Sequence, residues 1–258
     1  MGFNLSVIFT FLALFLFEYC NCAHVKSFNA SLAGFEPAVA TFYGSPNGAG
    51  SDGGACGYTS AVSQSPFNSF VSAGNGPLYR KGLGCGACYQ VNCILAPCSG
   101  KPVTVTITDE CPSCSGAVHF DLSGTAMGAL AKPGQADALR NMGNVAITYQ
   151  RVSCNYKNIR IQFKVDPGSN PNFLSVNVEF ENADGDVNLV EFLPSGSTTA
   201  ITANHVFGAT WSSNINPSAQ PAPYSIRLTT EFNKKLTATN VIPVGWKPGQ
   251  IYKSNVNF

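Results

Sequence analysis

The chain has 258 residues, enough for two domains of ordinary size, and only 11% of them are Asp, Glu, Lys or Arg against a usual quarter. A formal net charge of +1 provides neither the basic field that nucleic acid requires nor an acidic surface for a cationic partner. With 25 glycines, 16 prolines and no leucine-rich helical block after the first twenty residues, the composition predicts an all-β protein rich in turns.

Residues 1–23 read as a signal peptide. The apolar run from Val7 to Phe17 is too short for a membrane span and fits a signal core, although no Lys or Arg precedes it. No transmembrane anchor is expected, and the mature chain is expected to be extracellular. Residues 24–37 form a polar arm in which Asn29-Ala30-Ser31 is an N-glycosylation sequon. Eight cysteines follow: Cys56, Cys85, Cys88, Cys93, Cys98, Cys111, Cys114 and Cys154. An even number in an oxidising compartment, all before residue 155, reads as a disulfide-bonded first domain and a cysteine-free second one. Cys85-x-x-Cys88 and Cys111-x-x-Cys114 also have zinc-ribbon spacing, so a metal site is the rival reading; compartment and the extra pairs favour bridges.

From 38 to 154 the text is short strands between glycine-rich loops. Val103, Val105 and Ile107 alternate with Thr104, Thr106 and Thr108, and 144–150 repeats the pattern. Gly124 to Leu139 holds the helical candidates, with Ser123 or Thr125 as cap and Pro133-Gly134 as break. Asp109 and Asp121 each end a strand-like run in a chain that spends few charges. Carboxylates facing each other across a groove are the tools of glycoside chemistry, one donating a proton and the other activating water or attacking.

Residues 155–158 form a linker too short to be floppy, so the domains should pack together. After it, from 159 to 258, alternation is cleaner: Ile159, Ile161, Phe163 and Val165, then Val176, Val178 and Phe180. Asp184-Gly185 signals a hairpin before Val187 to Phe192, and 224–230 and 235–242 add strands. Many short strands without helix signals predict a β-sandwich.

The ordered motifs resemble a known family. Ala40-Thr41-Phe42-Tyr43-Gly44, Gly53-Gly54-Ala55-Cys56-Gly57-Tyr58, Gly84-Cys85-Gly86-Ala87-Cys88, Thr108-Asp109-Glu110-Cys111 and His119-Phe120-Asp121-Leu122-Ser123-Gly124 resemble expansins. Asn170-Pro171-Asn172-Phe173, Gly208-Ala209-Thr210-Trp211 and Asn240 to Trp246 extend the likeness through the second half, in the manner of the beta branch that includes grass-pollen group-1 allergens. The resemblance implies a six-stranded double-psi β-barrel followed by an immunoglobulin-like β-sandwich that binds carbohydrate. It implies a secreted plant cell-wall protein, a monomer without cofactor or metal, that binds cellulose and glucuronoarabinoxylan and loosens wall networks without cutting them.

By the same resemblance Asp121 matches the general acid of inverting endoglucanases built on this barrel. Their second aspartate sits on the first barrel strand, where this chain reads Thr41-Phe42-Tyr43-Gly44. An inverting cut needs two carboxyls roughly 6.5–9.5 Å apart with water between them. Asp52, in the next glycine-rich loop, is the nearest substitute and is poorly placed to be held rigidly. Thr41 and Tyr43 alternate to one face and are expected in the groove with Asp109 and Asp121. His119 is either a groove residue or a satisfied structural histidine. Phe173, where related chains carry tyrosine, and Trp211 match the family's exposed stacking aromatics, each able to contribute roughly 1–2 kcal/mol on a sugar face. Trp246 is expected to pack at the domain edge. The resemblance pairs Cys56 with Cys85, Cys88 with Cys154 and Cys93 with Cys98, leaving a Cys111–Cys114 bridge open. The alternatives are a cleaving enzyme, either an inverting endoglucanase or a lytic transglycosylase using Asp121 as acid, and a passive wall-binding protein.

Overall fold

The computed structural model of the protein describes residues 34–258. The targeting segment 1–23 and Asn29 lie outside the described residues.

Six strands close into a barrel in the order β1-β5-β2-β4-β3-β6, where β1 is Glu36–Tyr43, β2 Val71–Gly74, β3 Cys88–Asn92, β4 Val103–Glu110, β5 His119–Ser123 and β6 Val145–Val152. Two pairs, β1 with β5 and β2 with β4, run parallel, and the other neighbours run antiparallel. The inward set of each alternation fills the barrel: Ala40, Val91, Val105, Ile107, Phe120, Leu122 and Val145 are all buried. The threonines on the other side of β4 differ from one another. Thr104 is exposed, whereas Thr106 is buried against the sandwich side and its hydroxyl lies 3.1 Å from the hydroxyl of Tyr156. Short helices fill the loops: α1 (Gly76–Tyr79), α2 (Gly124–Ala129) and α3 (Ala136–Arg140). Ser123 caps α2 by accepting from Ala126 N at 3.0 Å, and Pro133-Gly134 separates α2 from α3.

The second half is a sandwich of nine strands: β7 (Gln162–Val165), β8 (Phe173–Glu179), β9 (Val187–Pro194), β10 (Ile201–Thr202), β11 (Asn204–Phe207), β12 (Thr210–Asn214), β13 (Tyr224–Thr230), β14 (Lys235–Ile242) and β15 (Ile251–Lys253). A five-stranded sheet, β11-β12-β8-β7-β15, faces a four-stranded one, β10-β9-β13-β14. Phe163, Val165, Leu174 and Val176 from the first interleave with Val190, Phe192, Ile226 and Leu228 from the second. The hairpin expected at Asp184-Gly185 does not form, because β8 and β9 belong to different sheets. The turn is recruited elsewhere: Asp184 accepts from Thr230 at 2.5 Å and from Lys234 Nζ at 2.6 Å, and Gly185 lies against the barrel.

The halves meet without a side-chain layer between them at one point. A Cβ on Gly86 would stand 2.1 Å from the carbonyl oxygen of Gly185, and one on Gly185 would stand 2.4 Å from that of Gly86. Beside this backbone contact Phe67 and Tyr156 from the barrel side surround Phe180, with ring centroids 5.0 and 5.9 Å from it. Arg80 and Arg151 of the barrel reach Asp186 and Glu231 of the sandwich, Arg151 at 3.1 and 3.5 Å. All eight cysteines pair, as Cys56–Cys85, Cys88–Cys154, Cys93–Cys98 and Cys111–Cys114. Bonded sulfurs offer no thiolate, so the zinc-ribbon reading of the two C-x-x-C spacings does not hold.

Two sandwich carboxyls, Glu179 and Glu181, are buried at this seam, and Glu181 Oε2 has no hydrogen-bond partner among the described residues. Burial pushes the pKa of Glu181 up to about 8 and that of Glu179 up to about 7, from an ordinary 4.5. Between these limits the unfolded chain has released both protons while the folded chain keeps them, so their contribution to stability falls as pH rises. Removing one titration should flatten that loss. The thermal midpoint of Glu181→Gln, relative to the parent, should therefore rise between about pH 5 and about pH 8; a pH-independent difference would contradict the assignment.

Candidate functional site

The strand order places four residues in one row across the barrel. Thr41 on β1 pairs with Asp121 on β5, Asp121 pairs with Ala73 on β2, and Ala73 pairs with Asp109 on β4, next to a register shift. The two aspartates therefore stand two strand spacings apart, roughly 9–10 Å between backbones. The small side chain of Ala73 forms the floor between them, a residue the sequence motifs do not mark.

The two carboxylates are held differently. Asp109 Oδ1 accepts from Ala55 N at 2.7 Å and from Glu110 N at 2.8 Å, so it anchors the loop that rides over β4. Asp121 is half-buried and its Oδ1 accepts from Thr41 Oγ1 at 2.5 Å. Burial raises the Asp121 pKa; the Thr41 hydrogen bond and the His119 charge oppose this, the charge of Asp109 adds to it, and the net direction is upward. Tyr43 lies two residues beyond Thr41 on the same face. Burial first, then the nearby charges of Asp109 and Asp121, push its phenol pKa up, so the hydroxyl stays neutral. That hydroxyl is buried without a hydrogen-bond partner among the described residues. Its ring lies against Gly50, where a Cβ would stand 2.3 Å from Cζ and where φ is +84°.

The remaining groove candidates fall elsewhere. His119 is 4% exposed and stands behind Thr41, with Nε2 at 3.0 Å from Thr41 Oγ1 and Nδ1 donating to Ser115 O at 3.0 Å. It supports the groove and does not line it. Asp52 is exposed in a turn and makes no hydrogen bond to the row among the described residues. The Cys111–Cys114 sulfurs lie within 4.8 Å of an Asp121 carboxyl oxygen.

On the sandwich, register overturns the expected Phe173 and Trp211 platform. Trp211 pairs with Val176, a core residue, and so points inward; it is 4% exposed and its ring meets His205 at 4.9 Å. Phe173 is three residues from Val176 and so faces the opposite side of the same sheet. The aromatic that shares the outer face with Phe173 is Phe207, which pairs with Thr210 and is 47% exposed. Simple alternation misses it because a bulge between His205 and Phe207 shifts the parity. Trp246 is half-buried against the sandwich core.

Loop 54–57 joins the two sites. A Cβ on Gly54 would stand 3.2 Å from Asp109 Cγ, and one on Gly57 would stand 3.2 Å from the Phe207 ring. Gly57, Lys164, Asn177, Thr210 and Phe207 line a cleft of about 250 Å³ there. Groove and outer sheet face are thus parts of one surface.

A closed six-stranded barrel with a carboxyl-lined groove, fused to a β-sandwich, defines a class of two-domain proteins, and the comparisons fall within it. The family described as lytic transglycolase matches residues 71–149, and the expansin C-terminal domain matches 161–243. Expansin-B11 of Oryza sativa subsp. japonica is 52% identical over 231 residues, covering 87% of this chain and 78% of its own; Expansin-B4 of Arabidopsis thaliana is 49% identical over 257 residues, 97% of each. The apo expansin of Clavibacter michiganensis superposes with a TM-score of 0.65 at 20% identity, over 87% of this chain and 98% of its own. This chain belongs to the beta-expansins.

The register predicts separate fates for the two aromatics. Trp211→Ala should lower unfolding free energy by about 3–5 kcal/mol in urea titrations, as core truncations do. Phe207→Ala should stay within about 0.5 kcal/mol, as exposed substitutions do. Equal losses would place both rings in the same environment.

Proposed function

We propose that this chain is a secreted plant cell-wall-loosening protein that binds cellulose together with glucuronoarabinoxylan and weakens the contacts between them without hydrolysis. The observation that carries this reading is the row Thr41–Asp121–Ala73–Asp109. An inverting cut requires a second carboxylate free to activate water. The first barrel strand contributes only a hydroxyl here, and the nearest other carboxylate, Asp109, spends Oδ1 on two backbone N–H groups. Asp121 remains to grip sugar hydroxyls at the groove centre, with Tyr43 beside it. A relative of the same fold, an Asn-for-Asp mutant of the Clavibacter michiganensis expansin, has been crystallised with cellohexaose, a cellulose fragment, which supports a glucan as ligand.

The proposed division of labour is a groove that acts and a face that holds. Phe173 and Phe207 would stack on the apolar faces of sugar rings at roughly 1–2 kcal/mol each, giving adhesion that is useful and reversible. Asp121 would disturb the glucan's hydrogen bonds to its neighbour.

The reading is tested on a stretched, heat-inactivated wall strip. The protein should induce creep without releasing reducing ends from cellulose, xylan or mixed-linkage glucan. Asp121→Asn should abolish most of the creep and leave cellulose binding intact, while the double change of Phe173 and Phe207 to Ala should weaken binding by about 2–4 kcal/mol. A sustained, Asp121-dependent rise in reducing ends would replace this reading with that of a cleaving enzyme. Full creep from a folded Asp121→Asn protein would remove the groove from the mechanism.

A further inference from the structure

We propose that His119 is a positioning residue that holds a proton in common with Asp121 across the hydroxyl of Thr41. The geometry counts the hydrogens. Nδ1 of His119 meets the carbonyl oxygen of Ser115 at 3.0 Å, and a carbonyl only accepts, so Nδ1 carries a hydrogen. Nε2 meets Thr41 Oγ1 at 3.0 Å, and the same Oγ1 meets Asp121 Oδ1 at 2.5 Å. A hydroxyl has one hydrogen and fills only one of these two contacts as donor.

Two arrangements satisfy both contacts. In one, Nε2–H donates to Thr41 and Thr41 donates to an Asp121 carboxylate, so the ring is an imidazolium. In the other, Asp121 is a carboxylic acid that donates to Thr41, and Thr41 donates to a neutral ring. A neutral ring beside a carboxylate would leave lone pair against lone pair at one contact, with His119 only 4% exposed to water. The unit therefore contains one proton more than a neutral imidazole plus a carboxylate.

The two forms interconvert when the hydrogen between Nε2 and Oγ1 moves to Oγ1 and the hydrogen between Oγ1 and Oδ1 moves to Oδ1. Each hydrogen stays within its own bond and no water is needed. The other titratable groups facing Asp121 are Asp109 on β4, whose charge disfavours a bare carboxylate there, and Tyr43 on β1, which stays neutral. Through this chain the groove carboxyl meets a sugar hydroxyl either as a charged or as a neutral acceptor while the unit keeps zero net charge. That consequence for the groove rests on the function proposed above; the shared proton does not.

The test is ¹⁵N NMR of ring-labelled full-length protein, which has three histidines, with His119→Gln to assign the resonance. In Asp121→Asn the new amide donates to Thr41, Thr41 donates to Nε2, and His119 should become a neutral Nδ1–H ring at a pH where the parent still shares its proton. Thr41→Val should produce the same change by cutting the relay, and Thr41→Ser should restore the parent signals. Ring resonances that titrate identically in parent, Asp121→Asn and Thr41→Val would overturn the proposal. In wall-creep assays His119→Gln keeps a donor for Thr41 but cannot hold the second proton. The limb of the pH profile belonging to Asp121 should then move to higher pH by about one unit or more, because the favourable charge is lost; an unmoved limb would overturn the proposed role. A parent protein without creep would defeat the wall-loosening reading and leave the NMR outcome to decide this one.

Discussion

The peptide of Cys56 is the tie on which the working surface depends. Its N–H donates to Thr108 O at 3.2 Å, the carbonyl next to Asp109 on β4. Its own carbonyl accepts from Ala209 N at 3.1 Å and from Asn177 Nδ2 at 2.9 Å, both in the sandwich. Its side chain is fixed to Cys85. One residue is thus bonded to the barrel through its nitrogen and to the sandwich through its oxygen. The residues on either side of it inherit that placement: Ala55 docks on Asp109, and Gly57 on Phe207. This tie sets the groove and the aromatic face side by side on one surface.

Several of the chain's few charges lie buried where its halves meet. Arg151 and Asp186 are almost wholly buried and pair with each other across the seam, while Arg151 also donates to Tyr89 Oη of its own half at 3.1 Å. A buried ion group of this kind contributes little net stability and penalises any docking that separates its members. Glu179 and Glu181 lie in the same seam, where burial pushes their pKa values up. The interface is thus set by directional polar contacts around an aromatic cluster, and a slipped arrangement of the halves would leave several buried groups unpaired.

Much of this was legible in the sequence because it rests on period-two alternation. Val105, Ile107, Phe163, Val165 and Val176 point inward as their spacing requires, and Asp109 sits near the end of β4, whereas Asp121, expected at a strand end, stands in the middle of β5. What escaped was set by events between elements. Ala73 is an unremarkable alanine until strand order places it between two aspartates. Trp211 reads as an exposed stacking residue by its motif, but pairing with Val176 turns it into the core. Phe207 reaches the surface because a bulge resets the parity of β11. Asp184-Gly185 has hairpin chemistry, and yet its aspartate is captured by Thr230 at the end of β13 and Lys234 in the turn that follows it. His119 is adjacent to the groove in sequence and behind it in space, since the row belongs to Thr41 and Asp121.

The contact between Gly86 and Gly185 has a further consequence for how such chains change over generations. Barrel and sandwich look like interchangeable modules, each with its own core. Yet the carbonyl oxygen of each glycine occupies the space where a methyl group on the other would have to sit. A barrel joined to a foreign sandwich would need that partner to offer a bare backbone at the matching position. The two halves are therefore constrained to diverge together as a single inherited unit, and shuffling one without the other is blocked by the width of a methyl group.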